Sequence, residues 1–83
     1  MSTETLEQTI RTIITELTAV PEDEINLEDR LREDLGMDSV SSMELISMLS
    51  EELDVDVELE DAMAVTDVKG VIALTQRVLE NAD

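Results

Sequence analysis

Eighty-three residues are enough for one small domain, and 22 Asp and Glu against 5 Lys and Arg leave a formal net charge of −17. Such a chain repels nucleic-acid phosphates and anionic headgroups, and without Phe, Tyr or Trp it offers no ring on which a base could stack, so nucleic acid is a poor candidate partner. With no Cys and no His, disulfides, thiolate or imidazole metal sites, cysteine nucleophiles and imidazole-dependent triads are excluded as well.

The 42% apolar fraction consists of Leu, Ile, Val, Met and Ala, which fill a core without aromatic bulk, so a single folded domain over residues 1–83 is expected. Met1-Ser2-Thr3-Glu4 shows no basic region and no apolar stretch follows it, so no signal peptide is expected. The longest stretch without a charge, Gly70 to Gln76, is seven residues, against the roughly 20 apolar residues of a spanning helix. A soluble, cytoplasmic protein without membrane insertion is the expectation. Two Gly and one Pro argue against a turn-rich all-β chain.

Leu6, Ile10, Ile13, Ile14 and Leu17 form one stripe of a helix from about residue 4 to 18. Val20-Pro21 ends it, because a residue before proline is pushed out of the helical region. The acidic Glu22-Asp23-Glu24 opens a long connection to about Asp38, longer than a structureless loop usually runs. Leu27, Leu31 and Leu35 recur at every fourth residue of it, with Asn26 placed to cap a short helical turn and Gly36 to end it, which would pin the loop to the core.

The second helix spans Ser39 to Leu53, and Asp38 before it can accept orphan backbone N–H groups. Leu45, Ile46, Leu49 and Leu53 share an arc about 100° wide with small Ser42 between them, and that arc is the core face. Val40, Met43 and Met48 project elsewhere, beside Glu44 and Glu51, as apolar residues ringed by carboxylates on a docking surface. Met43 and Met48 are read as adaptable partner contacts, Met37 and Met63 as packing.

Residues 54–59 alternate like a strand, but one strand has no partner here, so they read as an extended linker to a short helix around Glu60 to Ala64. Asp54, Asp56 and Glu58 open like an EF-hand loop. Leu59 then stands at the turn glycine and Val65 at the closing bidentate Glu, so no metal site is expected. Thr66 is placed to cap the last helix, whose stripe is Val68, Val71, Ile72, Thr75, Val78 and Leu79, with Gly70 allowing close approach to a neighbour. The predicted fold is all-α: an antiparallel bundle of three main helices and one short one, with a long loop between the first and second.

One pair stands out for chemistry. Asp38-Ser39 taken alone reads as a plain helix cap. A phosphate on that serine, however, would sit beside unpaired N–H groups at the positive end of the helix dipole, a place suited to an anion. With Leu35-Gly36-Met37-Asp38-Ser39-Val40 and Glu44-Leu45 behind it, the chain resembles the acyl carrier proteins over nearly its whole length. That resemblance implies that Ser39 receives a 4′-phosphopantetheine arm from coenzyme A through a separate phosphopantetheinyl transferase, and that the arm's thiol carries acyl groups as thioesters. The chain itself supplies no catalytic residue, in keeping with its missing His and Cys.

The resemblance further implies a partner face of Val40, Met43, Glu44, Ser47 and Glu51 meeting basic docking patches on acyl-transferring and chain-elongating enzymes, and a monomer. It also implies that the core around Leu45, Leu49, Val65 and Ile72 parts to admit the acyl chain. Val40, Ser41, Ser42 and Ser47 replace the Leu, Asp, Thr and Met common in fatty-acid carriers, which raises a specialised role in polyketide, modified-lipid or single-product synthesis. A peptidyl or aminoacyl carrier would use the same serine, and an unmodified acidic adaptor for a basic partner would use it only as part of a cap.

From Glu22 to Asp61 there are 16 acids and 2 bases, a net of −14, so most of the charge lies on the loop, second helix and linker. The field speeds encounter with basic partners and destabilises the fold by self-repulsion. Added salt or millimolar divalent cation is therefore expected to raise the melting temperature; an unchanged melting curve refutes this.

Overall fold

The computed structural model describes residues 3–81. Met1 and Ser2, part of the stretch read as no signal peptide, and the last two residues of the 1–83 domain lie outside them. The elements are helix α1 Thr3–Thr18, a 3₁₀ turn Glu22–Glu24, α2 Ser39–Leu53, α3 Leu59–Met63 and α4 Val68–Asn81. Among the described residues there is no strand, only an isolated bridge between Arg30 and Asp67.

α1 packs against both α2 and α4, and α3 joins α2 to α4 across the open side. Leu6, Ile10, Ile13 and Ile14 are buried against Leu45 and Leu49 of α2 and Val68, Val71 and Ile72 of α4. Each such side chain contributes about 1.5–3 kcal/mol through removal of apolar surface from water. The loop adds Ile25, Leu31, Leu35 and Met37 to the same core. Leu27, Leu17, Leu53 and Leu79 are partly buried against it.

α1 ends at Thr18, as its apolar stripe and the Val20-Pro21 signal predict. Ala19 takes a left-handed conformation with φ 65, its N–H donating to Thr15 O at 2.8 Å, and the Val20 N–H donates to the Thr18 hydroxyl at 3.2 Å. Asp54 ends α2 in the same way, with φ 53 and the Val55 N–H reaching Ser50 O at 3.1 Å.

The loop differs from expectation at Asn26. Its side chain accepts no N–H and instead donates from Nδ2 to Glu24 O at 3.5 Å; the Asn26 N–H donates to the Asp29 carboxylate at 2.9 Å, and the Asp29 N–H returns to Asn26 O at 3.1 Å. Arg11 Nε donates to Ile25 O at 3.2 Å, tying the start of the loop to α1. Further on, the Leu31 N–H donates to Thr66 O at 2.9 Å, while the Val68 and Lys69 N–H groups donate to Asp29 O and Leu27 O at 3.0 and 2.9 Å. The loop is thus strapped to the start of α4 by main-chain atoms.

The cap of α4 is Asp67 rather than Thr66. Asp67 Oδ1 accepts the Gly70 N–H at 2.7 Å and its carbonyl accepts the Val71 N–H at 3.2 Å, whereas Thr66 is exposed and serves through its carbonyl. A Cβ on Gly70 would lie 2.9 Å from Asp67 Oδ1 and 3.0 Å from Val65 Cγ1, so the close approach expected of Gly70 is to the capping carboxylate and Val65. Two methionines are also placed differently. Met48 is half-buried against the core facing α1, and Met63 is 74% exposed on α3. The short helix begins at Leu59, one residue before the predicted start, because Glu58 already lies in extended backbone as its cap.

Replacing Asp67 by Ala is expected to lower stability by about 1 kcal/mol, the usual value of a helix cap, whereas Thr66→Ala stays within about 0.5 kcal/mol of wild type. Urea unfolding of the two variants checks the assignment, and equal losses refute it.

Candidate functional site

Leu35 and Met37 are buried on either side of exposed Gly36, whose φ of +70 permits the turn between them, and the Met37 N–H donates to Leu31 O at 2.8 Å. Two buried anchors therefore hold the chain down just before it surfaces at Asp38. Asp38 is extended, φ −102 and ψ −172; its Oδ1 accepts the Ser41 N–H at 2.8 Å and its carbonyl accepts the Ser42 N–H at 3.0 Å. The Ser41 N–H, and after it the Ser41 hydroxyl, hold the Asp38 carboxyl below its ordinary value.

Ser39 is the first residue of α2 and is exposed, and its hydroxyl makes no hydrogen bond among the described residues. It lies on the rim of a groove of about 330 Å³ between α2, α3 and the loop. Met43 and Ile46 of α2, Leu59 and Met63 of α3, Met37 and Val65 give the groove an apolar lining, with Arg32 and Glu33 of the loop at its polar side. A hydroxyl with no competing bond, set at the positive end of a helix beside an apolar trough, suits a covalently attached group with a charged root and an apolar load.

Val40, Met43, Glu44, Ser47 and Glu51 follow i, i+3, i+4, i+7 and i+11, and all are exposed, Val40 by 63% and Met43 by 54%. They make one stripe running from the N-terminal end of α2 towards its C-terminus. Glu51 also borders a second, more polar hollow between α1 and α2, and Met48 lies in that hollow rather than on the stripe.

Of the four residues expected around the acyl chain, only Val65 lines the groove; Leu45, Leu49 and Ile72 are buried in the core. Sequence reasoning missed Leu59, Met63 and Ile46 as lining residues. The i, i+4 spacing of Leu59 and Met63 is a signal for the α3 pair, since it puts two large apolar groups on one side of a helix too short to bury them both.

The family described as "Phosphopantetheine attachment site" matches residues 8–75. The chain belongs to this family. Among solved structures, an acyl carrier protein of Thermotoga maritima superposes with TM-score 0.85 at 24% identity over 100% of this chain and 96% of its own, which shows the fold. A protein of Mycobacterium tuberculosis assigned as an acyl carrier protein gives TM-score 0.81 at 26% identity over 87% of this chain and 96% of its own. A doublet acyl carrier protein from prodigiosin biosynthesis gives 0.76 at 26% identity, covering 89% of this chain and 36% of that longer one.

The protein is thus a carrier of the acyl carrier type, not itself a catalyst, built for covalent 4′-phosphopantetheine and for acyl groups exchanged with partner enzymes. No helix among the described residues is long and apolar enough to cross a membrane, and no group of three or more acidic side chains among them is placed to hold a metal ion.

Because the folded Asp38 carboxyl is lowered, its contribution to stability is complete above the free carboxyl value of about 3.9 and is lost as the pH falls through the folded one. Asp38→Ala is expected to melt below wild type at pH 7, with a gap that holds to about pH 5 and closes in more acidic buffer. A gap independent of pH down to acid unfolding refutes the cap's ionic character.

Proposed function

We propose that the protein is a monomeric cytoplasmic carrier in which Ser39 bears the 4′-phosphopantetheine arm and Asp38 presents it. The free Ser39 hydroxyl at the head of α2, on the rim of the apolar groove, is the observation that carries the reading. The residues present fit the group: the half-buried Ser41 and Ser42 lie deeper in the helix, whereas Ser39 is exposed at its end. The arm, when bound, supplies a thiol that holds acyl groups as thioesters.

The chain's own residues then present and shield. The stripe Val40, Met43, Glu44, Ser47 and Glu51 meets the phosphopantetheinyl transferase and the acyl-transferring and chain-elongating enzymes, its carboxylates facing their basic patches. Met43, Leu59 and Met63 offer the near end of an acyl chain an apolar wall, and a longer chain reaches Leu45, Leu49 and Ile72 only where α3 moves away from α2 and α4 around Val65. The serine-rich α2, with Val40, Ser41, Ser42 and Ser47, favours a specialised product over bulk fatty-acid synthesis, and the likeness to a carrier from prodigiosin biosynthesis supports that direction.

Incubation with coenzyme A and a promiscuous phosphopantetheinyl transferase is expected to add the mass of one phosphopantetheine, and Ser39→Ala is expected to add none. No gain in the wild type favours the unmodified acidic adaptor, and a gain in Ser39→Ala moves the attachment elsewhere. Transfer of an amino acid by an adenylation enzyme, with none by an acyl transferase, makes the protein an aminoacyl carrier.

A further inference from the structure

The chain holds five basic residues, and within the acidic stretch from Glu22 to Asp61 only Arg30 and Arg32. Arg30 is engaged: its Nε lies 3.2 Å from Glu33 and 3.6 Å from Asp34. Glu33 borders the groove, so the one acid on that wall already has its counter-ion. Arg32 borders the same groove as Ser39, is exposed, and has neither ion pair nor hydrogen bond among the described residues. An unpaired guanidinium on the polar side of the groove, in the most acidic part of a strongly acidic chain, is placed to receive an anion.

The head of α2 does not remove the need for it. The Asp38 carboxylate already accepts the Ser41 N–H, so a negative group occupies the helix end before any arm arrives, and a phosphodiester on Ser39 adds a second negative charge beside it. We propose that Arg32 is a positioning residue for the arm, its planar fork pairing with the two non-bridging oxygens of the phosphodiester at Ser39 and so turning the arm along the groove. The inference rests on Ser39 as the attachment site. A carboxylate at the far end of a dicarboxylic acyl cargo has the same chemistry, but it is present only with some cargoes, whereas the phosphodiester is present with all of them.

The test uses wild type, Arg32→Gln and Arg77→Gln, each taken from the unmodified to the arm-bearing form with coenzyme A and a transferase and verified by intact mass. Arg77, exposed on α4 outside the groove, controls for loss of one positive charge. With the arm attached and its thiol free, the Arg32 Nε–H resonance of wild type is expected to move, and to return towards its unmodified position as salt is raised. The ³¹P line of the phosphodiester is expected to shift in Arg32→Gln and to stay in place in Arg77→Gln. The population of arms seated along the groove is expected to fall about two- to fivefold in Arg32→Gln, the range of an exposed ion pair.

An Arg32 resonance that ignores the arm, with a ³¹P line unmoved by Arg32→Gln, overturns the proposal. Movement that appears only after a succinyl group is loaded on the thiol assigns Arg32 to the cargo and overturns it too. Failure of the wild type to gain mass removes the Ser39 reading and this inference together, a result distinct from a loaded protein whose Arg32 does not respond.

Discussion

The strap between the first loop and the start of α4 is the interaction on which the rest depends. A helix begins with backbone donors that have no partner within it, and a loop that crosses the core carries carbonyls that must be paired once water is displaced. Here each solves the other's problem: Asp29 O and Leu27 O accept from Val68 and Lys69, and Thr66 O accepts from Leu31. With the backbone satisfied, Leu31, Leu35 and Met37 can be driven into the core, and their burial sets where the chain re-emerges. Unseating the strap would therefore uncap α4 and release the approach to Ser39 in one event.

The two long helices that follow the loop and the α3 linker start in opposite conditions. At α4 the first four donors are all taken, two by the loop, one by the Asp67 side chain and one by its carbonyl. At α2 the loop does not fold back over the helix end, and Asp38 accepts from Ser41 and Ser42, leaving Ser39 at the surface. The closed end is structural and the open end is chemical. Under the role proposed for Ser39, that division lets a chain with no His, no Cys and no aromatic ring serve as a carrier: it needs one accessible hydroxyl, a rigid mount for it, and a surface that partners can find.

The three long helices were legible because each carries a helical-period apolar stripe, and the Asp38 cap because capping is chemistry between residues three apart. The α4 cap was not. Thr66 and Asp67 are both good caps, and the choice between them is made by main-chain bonds from a loop some 35 residues earlier, which no local window contains. Met48 and Met63 were misplaced for a related reason: a helical angle says which way a side chain points, but only the packing of α1 against α2 and the brevity of α3 say what stands there. Leu45, Leu49 and Ile72 read as apolar and are apolar; whether such a residue faces a groove or a sealed interior depends on how far α3 stands from α2. The family was legible through the resemblance carried by Leu35-Gly36-Met37-Asp38-Ser39-Val40, whereas the unpaired state of Arg32 shows only once Arg30 is seen to hold Glu33 and Asp34.

The strap is held by carbonyls and amides rather than by its exposed side chains. Glu28, Arg32 and Glu33 are exposed, and none of their side chains makes a bond of the strap. A chain built this way has separated the atoms that fold it from the side chains it displays: the loop beside Ser39 can exchange its exposed charged residues while the scaffold underneath keeps its shape.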